Sequence, residues 1–176
     1  MKRMIFPVFG ILLTLAGCTK PPETPLPTVE AVDLQRYGGT WYEIARYENR
    51  FEKGCVAATA TYTPTEEGVG VLNRCYDAEG RPAGSAEGKA RVVEGSNGSK
   101  LEVSFFWPFY GDYWVVMLAD DYRYSVVGEP RRKYLWILAR DKMLDAADRE
   151  TILRRLPGLG YDPDVLYWTT FGPAFD

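Results

Sequence analysis

From Tyr37 onward the chain is cut into short apolar-alternating runs by turn residues, and this punctuation limits the fold more than any other feature. The runs fall at about 40–47, 55–63, 69–77, 84–94, 100–107, 112–119, 123–128, 133–139 and 164–169. Their length and spacing are those of strands in an up-and-down barrel or a sandwich. Gly68 and Gly70, Asp77 to Gly80, and Ser96-Asn97-Gly98-Ser99 supply turn chemistry between neighbours. Aromatic residues make up 14% of the chain, which suits pleated, half-buried strands. The expected class is therefore all-β. One helix interrupts the pattern at about 146–156, with Asp145 as N-cap, Asp148 in the first turn, Arg154 and Arg155 in the last, and Pro157-Gly158 as the stop.

Alternation assigns faces, because successive side chains on a strand point to opposite sides. Val56, Ala58, Ala60 and Tyr62 alternate with threonines; Ala86, Gly88, Ala90 and Val92 alternate with Glu87, Lys89 and Arg91; Leu101, Val103 and Phe105 alternate with Glu102 and Ser104. The first set in each case is expected to face inward. Small residues inward on some strands and aromatics on others leave an interior that is not uniformly filled, and so has room for a ligand. The expected ligand wall is Ala58, Ala60, Tyr62, Gly88, Ala90, Val103, Phe105, Trp114, Val116, Tyr134, Trp136 and Leu138.

Composition excludes several kinds of chemistry. The sequence has no histidine, which removes the commonest general base and the commonest zinc ligand together. Its three cysteines form no CxxC pair, so no metal site and no cofactor is expected. Adjacent carboxylates at Glu66-Glu67 and Asp120-Asp121 lie at turns and read as solvated charge rather than an acid–base pair.

The N-terminus has a basic start at Lys2-Arg3, a 13-residue apolar run from Met4 to Ala16, and then Leu15-Ala16-Gly17-Cys18. At 1.5 Å per residue such a run reaches about 20 Å, short of the ~30 Å hydrocarbon core, so it reads as a signal peptide. The last four residues resemble the bacterial lipobox, which implies lipid attachment at Cys18. Residues 1–17 are then the signal, 18–33 a proline-rich solvated tether, and 34–176 the folded domain. Without the signal, 19 basic residues face 24 acidic ones, which argues against a nucleic-acid partner. Thr19, where lipoproteins retained in the inner membrane carry Asp, points by the same resemblance to the outer membrane, facing the periplasm. Cys55 and Cys75 lie on consecutive expected strands, placed as directly opposite residues would be, and an exported compartment favours a disulfide between them.

Gly39-Thr40-Trp41-Tyr42, Asp120 to Tyr124, and Leu135 to Arg140 resemble, in order, the three motifs of the lipocalin family. Val103 to Gly111 and Phe51-Glu52-Lys53-Gly54 resemble the bacterial lipocalins and their apolipoprotein D relatives. Ala119 stands where the second motif often has Thr. The resemblance implies an eight-stranded antiparallel up-and-down barrel, with the helix packed outside and a short final strand. It implies that Gly39, Trp41 and Arg140 close one end, with the arginine over the tryptophan ring. It further implies a ligand such as a fatty acid (palmitate among them) or a lysophospholipid, stored or transported for envelope maintenance, and no enzymatic activity. Two rivals are carried beside it: a lipocalin-type enzyme using a barrel cysteine thiol, and a structural envelope protein with a filled barrel. Trp107 to Gly111 falls between strands and is expected to rim the mouth or touch a membrane surface. Arg131-Arg132-Lys133 is either a solvated tip or a site of attraction for anionic headgroups. A homodimer is left open.

Overall fold

The computed structural model describes residues 24–171 and 175. The signal peptide and Cys18 lie outside the described residues. Each of the nine expected runs holds a strand: β1 Gly39–Tyr47, β2 Ala57–Thr65, β3 Gly68–Tyr76, β4 Pro82–Val92, β5 Lys100–Phe106, β6 Phe109–Leu118, β7 Tyr124–Gly128, β8 Leu135–Ala139 and β9 Leu166–Trp168. A short helix α1, Leu34–Tyr37, precedes them, and α2, Ala146–Arg155, lies between β8 and β9. Neighbouring strands pair antiparallel from β2 through β8. The sheet closes because β1 pairs with both β8 and β2, with β9 added to the end of β1.

The direction of the chain fixes two ends. The turns β2–β3, β4–β5 and β6–β7 lie at one end with α1; the connections β1–β2, β3–β4, β5–β6 and β7–β8 lie at the other. The tightest turn, between β2 and β3, needs Gly68 at φ +148°, where a Cβ would lie 2.3 Å from the Ala90 carbonyl oxygen. α1 was not expected: four residues are too few to show helical periodicity. Its start is fixed by the Asp33 side chain, which accepts from the backbone N–H groups of Gln35 and Arg36.

Two apolar clusters occupy the two faces of the sheet. The inner one contains Trp41, Ala60, Tyr62, Val69, Val71, Ala90, Leu101, Val115, Val127 and Leu138. The outer one joins Ile44, Ala45, Val126, Leu135 and Ile137 to Ile152 of α2 and to Leu156 at its C-cap, so the helix packs outside, as its amphipathic pattern requires. Asp145 occupies the N-cap position of α2 but makes no capping hydrogen bond. Asp148 in the first turn instead accepts from both Nε and Nη2 of Arg123, at 2.6 and 2.7 Å, tying the helix to the β6–β7 turn. As expected, α2 ends before Pro157-Gly158, with Leu156 as its C-cap, and the chain then makes a 3₁₀ turn, Pro157–Leu159.

The segment read as a solvated tether is packed from Thr24 onward. Leu26 and Val32 are buried, and Val29 and Val32 donate backbone N–H bonds to Val115 and Asn97. Leu26, Val29 and Val32 are single apolar residues in a stretch rich in proline and polar side chains, which is why composition hid their role.

Candidate functional site

The end covered by α1 is sealed. Trp41 is fully buried, the Arg140 guanidinium carbon sits 3.9 Å from its ring centre, and its Nε1 donates to the Tyr37 carbonyl at 2.8 Å. Arg140 also donates to the carbonyls of Thr40 and Arg36, and Gly39, at φ +90°, leaves room for its Nη1. Just above, the hydroxyls of Tyr37, Tyr113 and Tyr62 form a chain with Ser125: Tyr37 Oη lies 2.8 Å from Tyr113 Oη and 2.9 Å from Ser125 Oγ, and Tyr113 donates to Tyr62 at 2.9 Å. Burial pushes the Tyr37 hydroxyl up to about 12 and holds Tyr62 and Tyr113 well above the ordinary tyrosine range, so all three stay neutral. This half of the interior is filled by its own side chains.

The other half is open. On the same inward-facing positions, Gly84 and Ala86 of β4 are exposed, and Asn73, Cys75, Val103, Phe105 and Trp136 are only partly buried. The inner wall thus changes from sealed to accessible along its length, which is the form of a cup.

Register places the expected wall residues. Ala58, Ala60, Tyr62, Gly88, Ala90, Val103 and Leu138 lie on the inner face, and Phe105 and Trp136 pack against the inner cluster. Ala60, Tyr62, Ala90 and Leu138 belong to the sealed half, however, and a Cβ on Gly88 would meet the Phe105 ring at 2.8 Å. The space beside Gly88 is therefore taken by Phe105. Tyr134 precedes β8 at the rim, between Phe51 and Trp136, with ring centres 5.6 and 5.9 Å away.

Two expectations are corrected. Trp114 stands opposite Lys100 and Gly128, with Lys100 Nζ 4.2 Å from its ring centre, and it packs on the outer cluster, as does Val116. The inward residues are Tyr113 and Val115, opposite Leu101 and Val127, so alternation turns Val116 out, and an irregularity between Val115 and Met117 puts Met117 on the outer face beside it. Residues 113–118 are apolar throughout, so alternation had nothing to alternate with. Trp107, expected at the mouth, is 83% exposed at the β5–β6 tip.

Reading by motif and parity missed a buried charged group at the mouth. A bulge between Glu43 and Ala45 of β1 puts Ile44 and Ala45 on the outer cluster and turns Arg46 inward between Trp136 and Tyr167. Arg46 donates to Glu43 at 2.6 Å and to the Cys55 carbonyl at 2.9 Å, and its guanidinium lies 4.2 Å from the Tyr167 ring centre. Glu52 of the β1–β2 loop accepts from Trp136 Nε1 at 3.2 Å and from Asn49 Nδ2. Glu43 and Arg46 are 3% and 4% exposed, and burial, reinforced by the Glu52 carboxylate, holds the Glu43 carboxyl well above its ordinary range. The signal available in sequence was Glu43 two positions from Trp41, hence on its face; the bulge that recruits Arg46 leaves no such trace. Beside the group, a cleft of about 440 Å³ opens between the β1–β2 loop and Tyr167. Arg46 Nε and, on the wall, Asn73 Oδ1 are buried polar atoms with no hydrogen-bond partner among the described residues.

Cys55 and Cys75 are bridged, but they are not opposite residues: Ala58 faces Cys75, and Cys55 precedes β2, reaching back from a turn in which its N–H bonds the Glu52 carbonyl. The bridge thereby fixes the β1–β2 loop that carries Glu52.

A family model described as a lipocalin-like domain matches residues 32–170. The outer membrane lipoprotein Blc of Vibrio cholerae is 38% identical over 168 residues, covering 94% of this chain and 97% of that relative. Apolipoprotein D of Macaca fascicularis is 38% identical over 141 residues, covering 74% and 69%. Among solved structures, insecticyanin from the tobacco hornworm Manduca sexta superposes with a TM-score of 0.71 at 20% identity, covering 88% of each chain. A closed antiparallel barrel, sealed at one end by tryptophan under arginine and accessible at the other, defines a class of single-molecule containers. Within that class the chain belongs to the lipocalin family, whose members bind small hydrophobic molecules and are binding and transport proteins rather than enzymes.

Proposed function

We propose that this protein is a lipoprotein anchored through Cys18 to the outer membrane, facing the periplasm, whose barrel holds a fatty acid, lysophospholipid or similar single-chain amphiphile in storage or transport for envelope maintenance. The observation that carries this reading is the gradient along the inner wall, from the fully buried Trp41 to the exposed Ala86. An apolar tail would lie along Ala58, Val103, Phe105 and Trp136 and end on the tyrosine layer. The polar head would stay at the mouth, where Arg46 Nε can donate and Asn73 Oδ1 can accept. The names of the bacterial relatives support the location, and the lipobox resemblance supports the anchor.

The thiol-enzyme reading loses its nucleophile, because both barrel cysteines are bridged. Native mass spectrometry of protein extracted from membranes tests the binding reading: a co-purifying amphiphile, or uptake of added palmitate with one-to-one stoichiometry, is expected. No bound lipid and no uptake would favour the filled barrel instead. The mass of the N-terminal peptide checks the anchor, with a diacylglyceryl group on Cys18 and loss of residues 1–17 as the expected outcome.

A further inference from the structure

The β5–β6 hairpin is built unlike the other connections. Val103 to Gly111 is a run of nine residues without a charge, and at its tip Phe106, Trp107 and Phe109 are 78%, 83% and 76% exposed. Large aromatics in water at one spot mark a contact surface, and Trp and Tyr favour the membrane–water boundary. Phe51, also exposed, lies on the β1–β2 loop at the same end of the barrel. Of the acidic side chains at that end, Glu48, Asp112 and Asp164 are exposed and the others are engaged. Glu129 accepts from the backbone N–H groups of Arg131 and Lys133, Asp77 and Glu79 pair with Arg81, and Glu52 faces inward. Arg50, Lys53, Arg131 and Lys133 are exposed there too, and the Arg50 guanidinium carbon lies 5.1 Å from the Phe51 ring centre, so cations stand at the rim and one of them beside an exposed aromatic.

The path of the N-terminal segment adds an independent constraint. Arg132 of the β7–β8 connection donates from Nη2 to the Thr24 carbonyl at 3.1 Å, so the chain meets the barrel at its mouth. It then runs from Leu26 on the outer cluster past Val115 to Asn97 of the β4–β5 turn at the sealed end, where Val32 joins the inner cluster. Cys18 precedes Thr24 by six residues, and six residues extend at most about 20 Å. The descent from Thr24 to Asp33 uses nine residues, so an anchor at Cys18 cannot reach past the sealed end. Any membrane holding that anchor lies near the mouth.

We infer that the barrel docks mouth-first on the anionic phospholipid bilayer that carries its own anchor, with Phe106, Trp107, Phe109 and Phe51 seated at the headgroup boundary and the rim cations on the headgroups. One anchor and one protein surface then act together, as two-signal membrane attachment does. An amphiphile passes between bilayer and barrel along Phe51, Tyr134 and Trp136 without crossing water. This inference rests on the anchor proposed above.

The test uses full-chain protein extracted from membranes and reconstituted in vesicles of phosphatidylethanolamine and phosphatidylglycerol carrying acyl-brominated lipid, which quenches tryptophan at the boundary. Quenching is expected in the wild type and mostly lost in Trp107→Phe. A Phe106→Ser/Trp107→Ser/Phe109→Ser variant, altered only at exposed positions, should stay anchored and folded by circular dichroism yet take up a fluorescent fatty acid from the vesicles severalfold more slowly. An acylated, co-floating protein whose Trp107 is not quenched overturns the docking and leaves the anchor intact. Unmodified Cys18 with no co-flotation overturns the anchor and the orientation together. A wild-type dimer that the triple variant breaks, with Trp107 unquenched, assigns the aromatic tip to a second copy and also overturns the docking.

Discussion

Arg46 is the residue whose surroundings are most costly to maintain, since its guanidinium and the Glu43 carboxyl have left water inside an otherwise apolar wall, with Glu52 partly withdrawn beside them. Replacing it by Met removes the partner of Glu43, the bond to the Cys55 carbonyl and the stacking on Tyr167. Arg46→Met should destabilise the fold by about 3 kcal/mol, measured by urea unfolding, and adding Glu43→Gln should restore part of the loss. Burial and Glu52 raise the Glu43 carboxyl above its ordinary value of 4.5, so the folded state holds a proton that the unfolded chain releases. That stabilisation is complete below the unfolded value and is lost as pH rises through the folded one. The wild type should therefore lose stability relative to Glu43→Gln as pH rises above the ordinary carboxylate range; identical pH profiles of the two would refute the raised carboxyl. At this scale the sequence was legible where a side chain stands in a motif, as Trp41 and Arg140 do. It was silent where position depends on a bulge, as for Arg46.

Elements were readable because polar and apolar residues alternate cleanly in β2, β4 and β5, and because α2 lies between turn residues. β6 was located but not oriented, since an apolar strand carries no period, and its neighbour across the ladder decides which face is in. The disulfide was anticipated from compartment and spacing, yet its geometry depends on the turn before β2 and not on strand opposition. Its sequence separation of 20 closes a loop worth about 3 kcal/mol in chain entropy. Cys55→Ser/Cys75→Ser should lower unfolding stability by about that amount, and reducing agent should affect the wild type but not the variant. α2 is held chiefly by Ile152 and Leu156, both fully buried. Ile152→Ala should cost about 2–5 kcal/mol by thermal or urea unfolding, whereas Glu150→Ala, on the exposed face, should change stability little.

The whole barrel divides into a lower half that supplies rigidity and an upper half that supplies space. The tyrosine layer separates them, so a ligand tail has a fixed floor and its length is limited by the distance from that layer to the mouth. The division was only half visible beforehand: small inward residues on β2 and β4 suggested room, but nothing in the sequence told that Phe105 would lie over Gly88 or that three tyrosines on different elements would join hydroxyls. If the open half is the binding space, filling it at an exposed wall position should weaken binding without disturbing the floor. Ala86 faces inward opposite Asn73 and is exposed, so Ala86→Trp should weaken palmitate binding by roughly tenfold or more, as expected when an apolar contact worth over 1.4 kcal/mol is displaced. Its unfolding midpoint should stay near that of the wild type. Trp114→Phe, on the outer face, should leave affinity unchanged. Displacement of a fluorescent fatty acid measures both variants, and a loss of affinity in Trp114→Phe without loss in Ala86→Trp would place the ligand outside the cup.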